Sequence, residues 1–179
     1  MPDDDFRLLQ AARHGDESSF LALYHRYRTP LFRFAWRLTG SVETAEDVLQ
    51  ECFLALIEGA RFDADRGSLR AYLFGIARNL ALKRMRLVAR EAEELEDTEA
   101  GLDPLGDLLS IERSEAVARA VVALPPFQRE ALILFEYEEL SLEEIAAVAG
   151  IETSAVKARL HRARETLRRQ LAPLIAARA

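Results

Sequence analysis

Residues 141–164 read SLEEIAAVAGIETSAVKARLHRAR, and the fold is decided by how this stretch turns its corner. Ser141 followed by Glu144 is a capping box, and Leu142, Ile145, Ala146 and Ala149 give a short helix one apolar face. Gly150 stands where that helix must stop and turn, since only glycine takes φ > 0 cheaply. Ile151 plugs the corner, and Thr153 or Ser154 can cap a second helix. On it Val156, Leu160, Ala163 and Leu167 form the inner stripe, while Lys157, Arg159, His161, Arg162 and Arg164 lie on the remaining surface. Two short helices at a steep angle, the second basic on its open side, read as a DNA-binding helix-turn-helix.

Charge is distributed accordingly. From Thr153 to the end there are seven Lys or Arg and one acid, Glu165, whereas Gln128–Glu152 holds seven acids and one base, Arg129. The net charge of −6 argues against nucleic acid only until its source is located. Glu91–Glu115 carries ten acids and one base; without it the chain has 23 bases and 20 acids, a net of +3.

Leu124–Arg168, LPPFQREALILFEYEELSLEEIAAVAGIETSAVKARLHRARETLR, closely resembles the C-terminal promoter-binding region of the extracytoplasmic-function sigma factors of bacterial RNA polymerase. The LPP opening, the QRE after it, the EEIA helix and the VKxRLHRAR helix stand in that family's order. The resemblance implies that Lys157, Ala158, Arg159, His161, Arg162 and Arg164 face the −35 element, with Arg159 and Arg164 better placed for phosphates than for bases. Glu152 stands where the family often has a Ser cap, which predicts a helix beginning one residue late.

The rest of the chain is consistent with that family. Ala, Leu, Arg and Glu dominate and β-branched runs are absent, so the fold class is all-α. Phe6–His14 predicts a short helix ended by Gly15; Asp16 caps a longer one, with a kink at Pro30, reaching Gly40. Its aromatics at helical spacing read as core. Ser41 opens a helix whose inner stripe is Ala45, Val48, Leu49, Cys52, Phe53, Leu56 and Ile57. The outer face of AEDVLQECFLAL resembles the sigma helix that docks on the clamp coiled coil of the polymerase β′ subunit, which implies Glu46, Asp47, Gln50, Glu51 and Leu54 as polymerase contacts. Thr44 stands where the family usually has Asp.

Arg61–Gly67 has the Gly and Asp of a loop, and Ser68 caps the helix LRAYLFGIARNLALKRMR with Leu69, Tyr72, Leu73, Ile76, Ala77 and Leu80 inward. Arg61–Arg90, eight bases against Asp63 and Asp65, resembles the sigma element that melts and reads the −10 region. The implied −10 residues are Arg61, Arg66, Arg70, Tyr72, Arg78, Asn79, Lys83 and Arg84, with Tyr72 standing where the family commonly has Trp. Val88–Ser114 shows no stripe until Leu105, Leu108, Leu109 and Ile111, which suggest a brief helix. It reads as a solvated spacer, or alternatively as a mimic of nucleic acid in a basic groove of the polymerase. Ala116, Val117, Ala120, Val121 and Leu124 make a helix ended by Pro125 and Pro126, and Phe127–Tyr137 predicts another.

The expected organisation is therefore two small helical domains, 1–90 (region 2-like) and 115–179 (region 4-like), joined by an acidic flexible linker, 91–114. No phosphate-binding loop, HExxH, CxxC or GxSxG pattern occurs, the three histidines are scattered, and one cysteine builds no zinc site; neither an enzyme nor a cofactor nor a metal is expected. Cys52 alone suits a reducing compartment, and no signal peptide or apolar run of ~18 residues is present, so the expected location is cytoplasmic, without membrane insertion. The resemblance implies a promoter-specificity subunit with core polymerase (β′ clamp coiled coil and β flap), promoter DNA and an anti-sigma factor as partners. Two rivals are a sigma mimic that sequesters an anti-sigma factor without binding promoters, and an ordinary transcriptional regulator. Retained cations on the second helix favour the genuine factor.

Overall fold

The structure, a computed structural model, describes residues 2–59, 62–94 and 111–176. Among these residues the regular elements are helical and no strand occurs. The N-terminal half comprises α1 (Pro2–Arg13), α2 (Glu17–Thr39), α3 (Val42–Ile57), a 3-10 turn (Ala64–Arg66) and α4 (Leu69–Glu94). The C-terminal half comprises α5 (Ile111–Val122), α6 (Pro126–Leu132) running into a π turn (Ile133–Tyr137), α7 (Leu142–Ala149) and α8 (Thr153–Ala176).

The starts of the N-terminal helices follow from side-chain caps. Asp16 accepts from the Ser19 amide at 3.2 Å, Ser41 from Thr44 at 3.1 Å and Ser68 from Ala71 at 3.1 Å. Gly40 closes α2 in the left-handed region (φ 76°), its amide donating to the Trp36 carbonyl. As expected, α2 continues through Pro30 to Gly40. Leu23, Leu31 and Phe34 of α2, Val48, Cys52 and Leu56 of α3, and Leu73, Phe74 and Ala77 of α4 make the core, with Phe34 and Phe74 edge-on at 5.4 Å. Arg13 at the end of α1 donates to the Leu56 carbonyl near the end of α3 at 3.0 and 3.1 Å, satisfying a terminal acceptor.

The inner stripe of α4 is wider than its sequence predicts. Ala71, Phe74, Ala81 and Leu82 are buried as well, whereas Tyr72, Ile76 and Leu80 are only half-buried. The reason is tertiary: α2 and α3 pack on one side of α4, and α7 of the other half packs against it too. The helix also extends to Glu94, past the expected boundary, and α5 starts at Ile111, ahead of it. The predicted brief helix over Leu105, Leu108 and Leu109, like most of the acidic segment, lies outside the described residues.

In the C-terminal half Ala131, Leu132, Ile133 and Leu134 are all buried, four in succession, because this helix runs through the centre with α2 on one side and α8 on another. The regular helix expected over 127–137 instead widens after Leu132, the Glu138 amide reaching the Ile133 carbonyl at 3.1 Å. The capping box forms: the Glu144 amide donates to Ser141 Oγ (3.1 Å), and the Ser141 amide to Glu144 Oε2 (2.9 Å). Gly150 takes φ 66° and the Ile151 amide closes on the Ala146 carbonyl at 3.0 Å. Contrary to the expected late start, α8 begins at Thr153, with the Glu152 carbonyl accepting from Ala155 and Val156.

A Cβ at position 150 would meet nothing within 4 Å, so the cost of Gly150→Ala is backbone strain alone. Urea unfolding should show a loss of about 1–2 kcal/mol with unchanged helical signal; a near-zero loss would show that the corner does not need its left-handed residue.

Candidate nucleic-acid interface

The helix-turn-helix presents α8 as the sequence requires. Val156, Leu160 and Ala163 are buried against α7 and α6, and Lys157, Ala158, His161, Arg162 and Arg164 are exposed. Among the described residues Lys157, His161 and Arg162 have no protein partner, which leaves them free for a polyanion. The two supposed phosphate clamps are placed differently. Arg159 is half-buried, its guanidinium 4.9 Å from the centre of the Phe127 ring and its Nη1 buried without a hydrogen bond. Arg164 pairs with Glu136 at 2.7 Å and lies 5.3 Å from the Phe135 ring.

The residues assigned to the −10 element do not form one open face. Arg61 lies outside the described residues, as does the side chain of Arg66. Asn79 and Lys83 are exposed on α4, and Tyr72 is half-buried with its ring 5.3 Å from Phe62. Arg70 donates to the Glu138 carbonyl, and Arg78 Nε to Glu130 Oε1 at 2.6 Å, so both are held by the C-terminal half. Arg84 reaches the other way, to Asp47 (3.4 Å) and Glu51 (2.5 Å) of α3. That pairing also divides the supposed polymerase contacts. Glu46, Gln50 and Leu54 line a groove of about 1050 Å³ between α2 and α3, while Asp47 and Glu51 are tied to α4.

Family models match the chain over most of its length: the sigma-70 region 2 model covers residues 23–91 and the sigma-70 region 4 model residues 114–167. The extracytoplasmic-function RNA polymerase sigma factor SigW of Bacillus subtilis is 31% identical over 93% of this chain and 96% of its own. The chain is an extracytoplasmic-function sigma factor of the sigma-70 family. Among solved structures, the sigma factor RpoE in complex with the anti-sigma factor NepR from Bartonella quintana aligns with a TM-score of 0.73 and 28% identity, over 86% of this chain and 96% of that one. CnrH in complex with the cytosolic domain of CnrY gives a TM-score of 0.69 and 27% identity, over 98% and 99%. No helix among the described residues of this sigma factor is long and apolar enough to cross a membrane.

Two features of the sigma factor escaped sequence reasoning. The groove is walled by Phe20, Tyr24, Phe32 and Trp36, of which periodicity places Phe20 and Tyr24 on the core stripe. The available signal was an excess: α2 carries more apolar residues than one ~100° stripe can bury. The other is the contact between the halves. Arg129 donates to the Leu38 carbonyl at 2.5 Å and to Leu124 at 3.0 Å; Arg37 lies 4.2 Å from the Tyr137 ring centre and 3.8 Å from Glu138; Ser68 Oγ donates to Glu144 at 3.3 Å.

Burial pushes the Glu138 carboxyl above its usual range, more than Arg37, Arg70 and Arg33 pull it down. A raised carboxyl pKa means that the packed state binds the extra proton: the charge penalises packing above that pKa, and the penalty is relieved as pH falls through it toward 4.5. At neutral pH Glu138→Gln should therefore hold or raise the melting temperature. A fall of about 2–4 °C, near 1 kcal/mol for a chain of this size, would show instead that Arg37 and Arg70 depend on the charge.

Proposed function

We propose that this sigma factor directs core RNA polymerase to promoters, with α8 reading the −35 element in the major groove, α4 holding and helping to melt the −10 element, and the α2–α3 groove seating the β′ clamp coiled coil. The observation that carries the reading is the free row Lys157, His161 and Arg162, exposed on a helix whose opposite side is locked by Val156, Leu160 and Ala163. Arginine or lysine on such a row pairs bidentately with guanine, and each good pair contributes ~1–3 kcal/mol of base discrimination. On α4, Lys83 is exposed to a strand, Asn79 is exposed with its Oδ1 accepting from Arg78 at 3.2 Å, and the Tyr72–Phe62 pair supplies aromatic faces for opened bases. Apolar walls with Glu46 and Gln50 at the rim suit a basic, helical partner. An anti-sigma factor is a further partner, because the solved relative from Bartonella quintana is bound to one. The site of action is the cytoplasm, where polymerase and promoters are.

Run-off transcription with core polymerase on a genomic fragment pool tests the reading, and promoter-specific transcripts are the expected result. On single-base −35 variants, Arg162→Ala should cost roughly 1–3 kcal/mol and relax preference at one or two base pairs. Arg164→Ala, already paired to Glu136, should weaken all sequences alike and lower the salt slope by no more than about one. Equal losses at every base pair for Arg162→Ala would make it a phosphate clamp and leave base reading to Lys157 and His161.

The groove makes a separate demand. Leu54 is half exposed at its edge (51%), so Leu54→Ala with Gln50→Ala should weaken binding to a β′ coiled-coil fragment at least ~10-fold, the loss expected from one buried leucine. Asp47→Ala should do less, because Arg84 already engages that carboxylate. The reverse order, measured by titration calorimetry, would move the interface to the acidic edge of α3.

A further inference from the structure

His161 is the one member of the exposed row on α8 whose side chain ordinarily changes charge near neutral pH. Lys157 stands one turn before it, Arg162 beside it, and Arg164 and Glu165 one turn beyond. The two beyond are engaged, Arg164 with Glu136 at 2.7 Å and Glu165 with Arg168 at 2.6 Å. The elements packed against α8 are α5, α6 and α7. Of the described side chains, α5 brings Glu115 and Arg119, which pair at 3.5 Å, and α6 brings Arg129 and Glu130, which are buried. α7 brings Glu144, bound to the Ser141 amide at 2.9 Å, and Glu143, exposed in its first turn. Among the described residues no carboxylate pairs with His161, so the free factor offers its ring no acceptor.

We propose that His161 reads the −35 element as an imidazolium: it takes up a proton as the duplex closes on α8 and donates from both ring nitrogens, one to a base and one to the backbone. The inference rests on the sigma reading above and deepens it. Ring geometry makes the proton necessary. The two ring N–H bonds point away from each other, so a single base cannot receive both. A nitrogen that reaches the floor of the major groove leaves the other facing the groove wall, where phosphate oxygens lie. A neutral imidazole carries one N–H, serves one of these acceptors and turns a lone pair toward the other. The imidazolium serves both, and the phosphate supplies the negative charge that the protein does not. On the base side an N–H donor fits guanine O6 or N7 and meets the cytosine amino group as a second donor. A complex holding one more proton than its free parts gains affinity as pH falls, by up to about tenfold per unit. The gain ends near histidine's ordinary titration, at about pH 6.5, where the free ring is itself charged. Ordinary lysines and arginines stay charged between about pH 6 and 8, so the dependence isolates the imidazole.

The test uses the full chain assembled with core polymerase and a labelled duplex promoter fragment selected by run-off transcription. Fluorescence anisotropy gives the Kd from about pH 8 down to about pH 6.5, at fixed ionic strength, for wild type, His161→Gln and His161→Lys. Glutamine keeps a donor but takes up no proton, and lysine carries its charge throughout. His161 is exposed, so both variants should fold, and ratios between them cancel the pH dependence of the polymerase. The Kd of His161→Gln relative to wild type should rise at least about fivefold as pH falls, while the ratio of the two variants stays constant. Calorimetry in phosphate and Tris near pH 7.5 should show wild type taking up about half a proton or more beyond His161→Gln. A flat ratio with equal proton uptake would overturn the proposal. A pH-dependent ratio that survives every single-base −35 change would confine His161 to the backbone and overturn its base reading. If wild type bound no promoter with core polymerase at any pH, the sigma reading itself would fall; tight wild-type binding with a flat ratio would sink this proposal alone.

Discussion

Arg129 and Glu130, neighbours on α6, both cross the boundary between the halves, and the position of the C-terminal half depends on them. Arg129 puts its guanidinium on the Leu38 carbonyl, in the last turn of α2, where helix carbonyls lack partners and the dipole favours a cation. Glu130 reaches α4 through Arg78. With one residue anchored to each of two helices, α6 is fixed against the N-terminal bundle, and α8, which packs on α6, is fixed in turn. The direction in which the recognition row faces is therefore set at the buried side of the domain.

The chemistry of this boundary makes it a marginal contact. Burying two charges costs several kcal/mol per ion, and their attraction offsets this only when every polar atom is satisfied. Here Arg129 Nε and Glu130 Oε2 are buried without partners, and burial pulls the Arg129 pKa down. Glu138 is worse off, since its charge is a net cost among three arginines. An apolar interface of the same extent would hold more firmly and release less readily. Ion pairs close to balance give up little when water replaces the partner.

What could be read from the sequence was local. The capping box, the Gly150 corner, the inner stripe of α8 and the cap at Ser41 depend on residues within four or five positions of one another, and each formed as read. What could not be read depends on a second element. Phe74 looked like a surface position on a one-sided helix until α2 packed Phe34 onto it. Phe20 and Tyr24 looked like core because periodicity reports which residues share a face and not whether anything covers it. Arg129 and Glu130 looked like the polar side of an amphipathic helix; only the α2 terminus and Arg78 make them buried. The basic pattern of α4 was silent about partners, since the Glu138 carbonyl that holds Arg70 and the Glu130 carboxylate that holds Arg78 lie more than fifty positions away.

The three departures from the family pattern have local accounts that bear on function. Thr44 sits in the first turn of α3, its amide on Ser41 Oγ; an acid there would favour the helix dipole, but the start is already fixed without it. Tyr72 keeps an aromatic face beside Phe62, and burial raises its hydroxyl pKa, so the ring stays neutral and can stack as Trp would, over a smaller area. Glu152 in the cap position of α8 changes least. The helix start is set one step earlier, by the left-handed turn at Gly150 and the Ile151 amide on Ala146, so that the Glu152 carbonyl already faces the amides of Ala155 and Val156. Once the backbone fixes the register, the cap side chain is free to vary, and Lys157, His161 and Arg162 come to the open face whichever residue precedes Thr153.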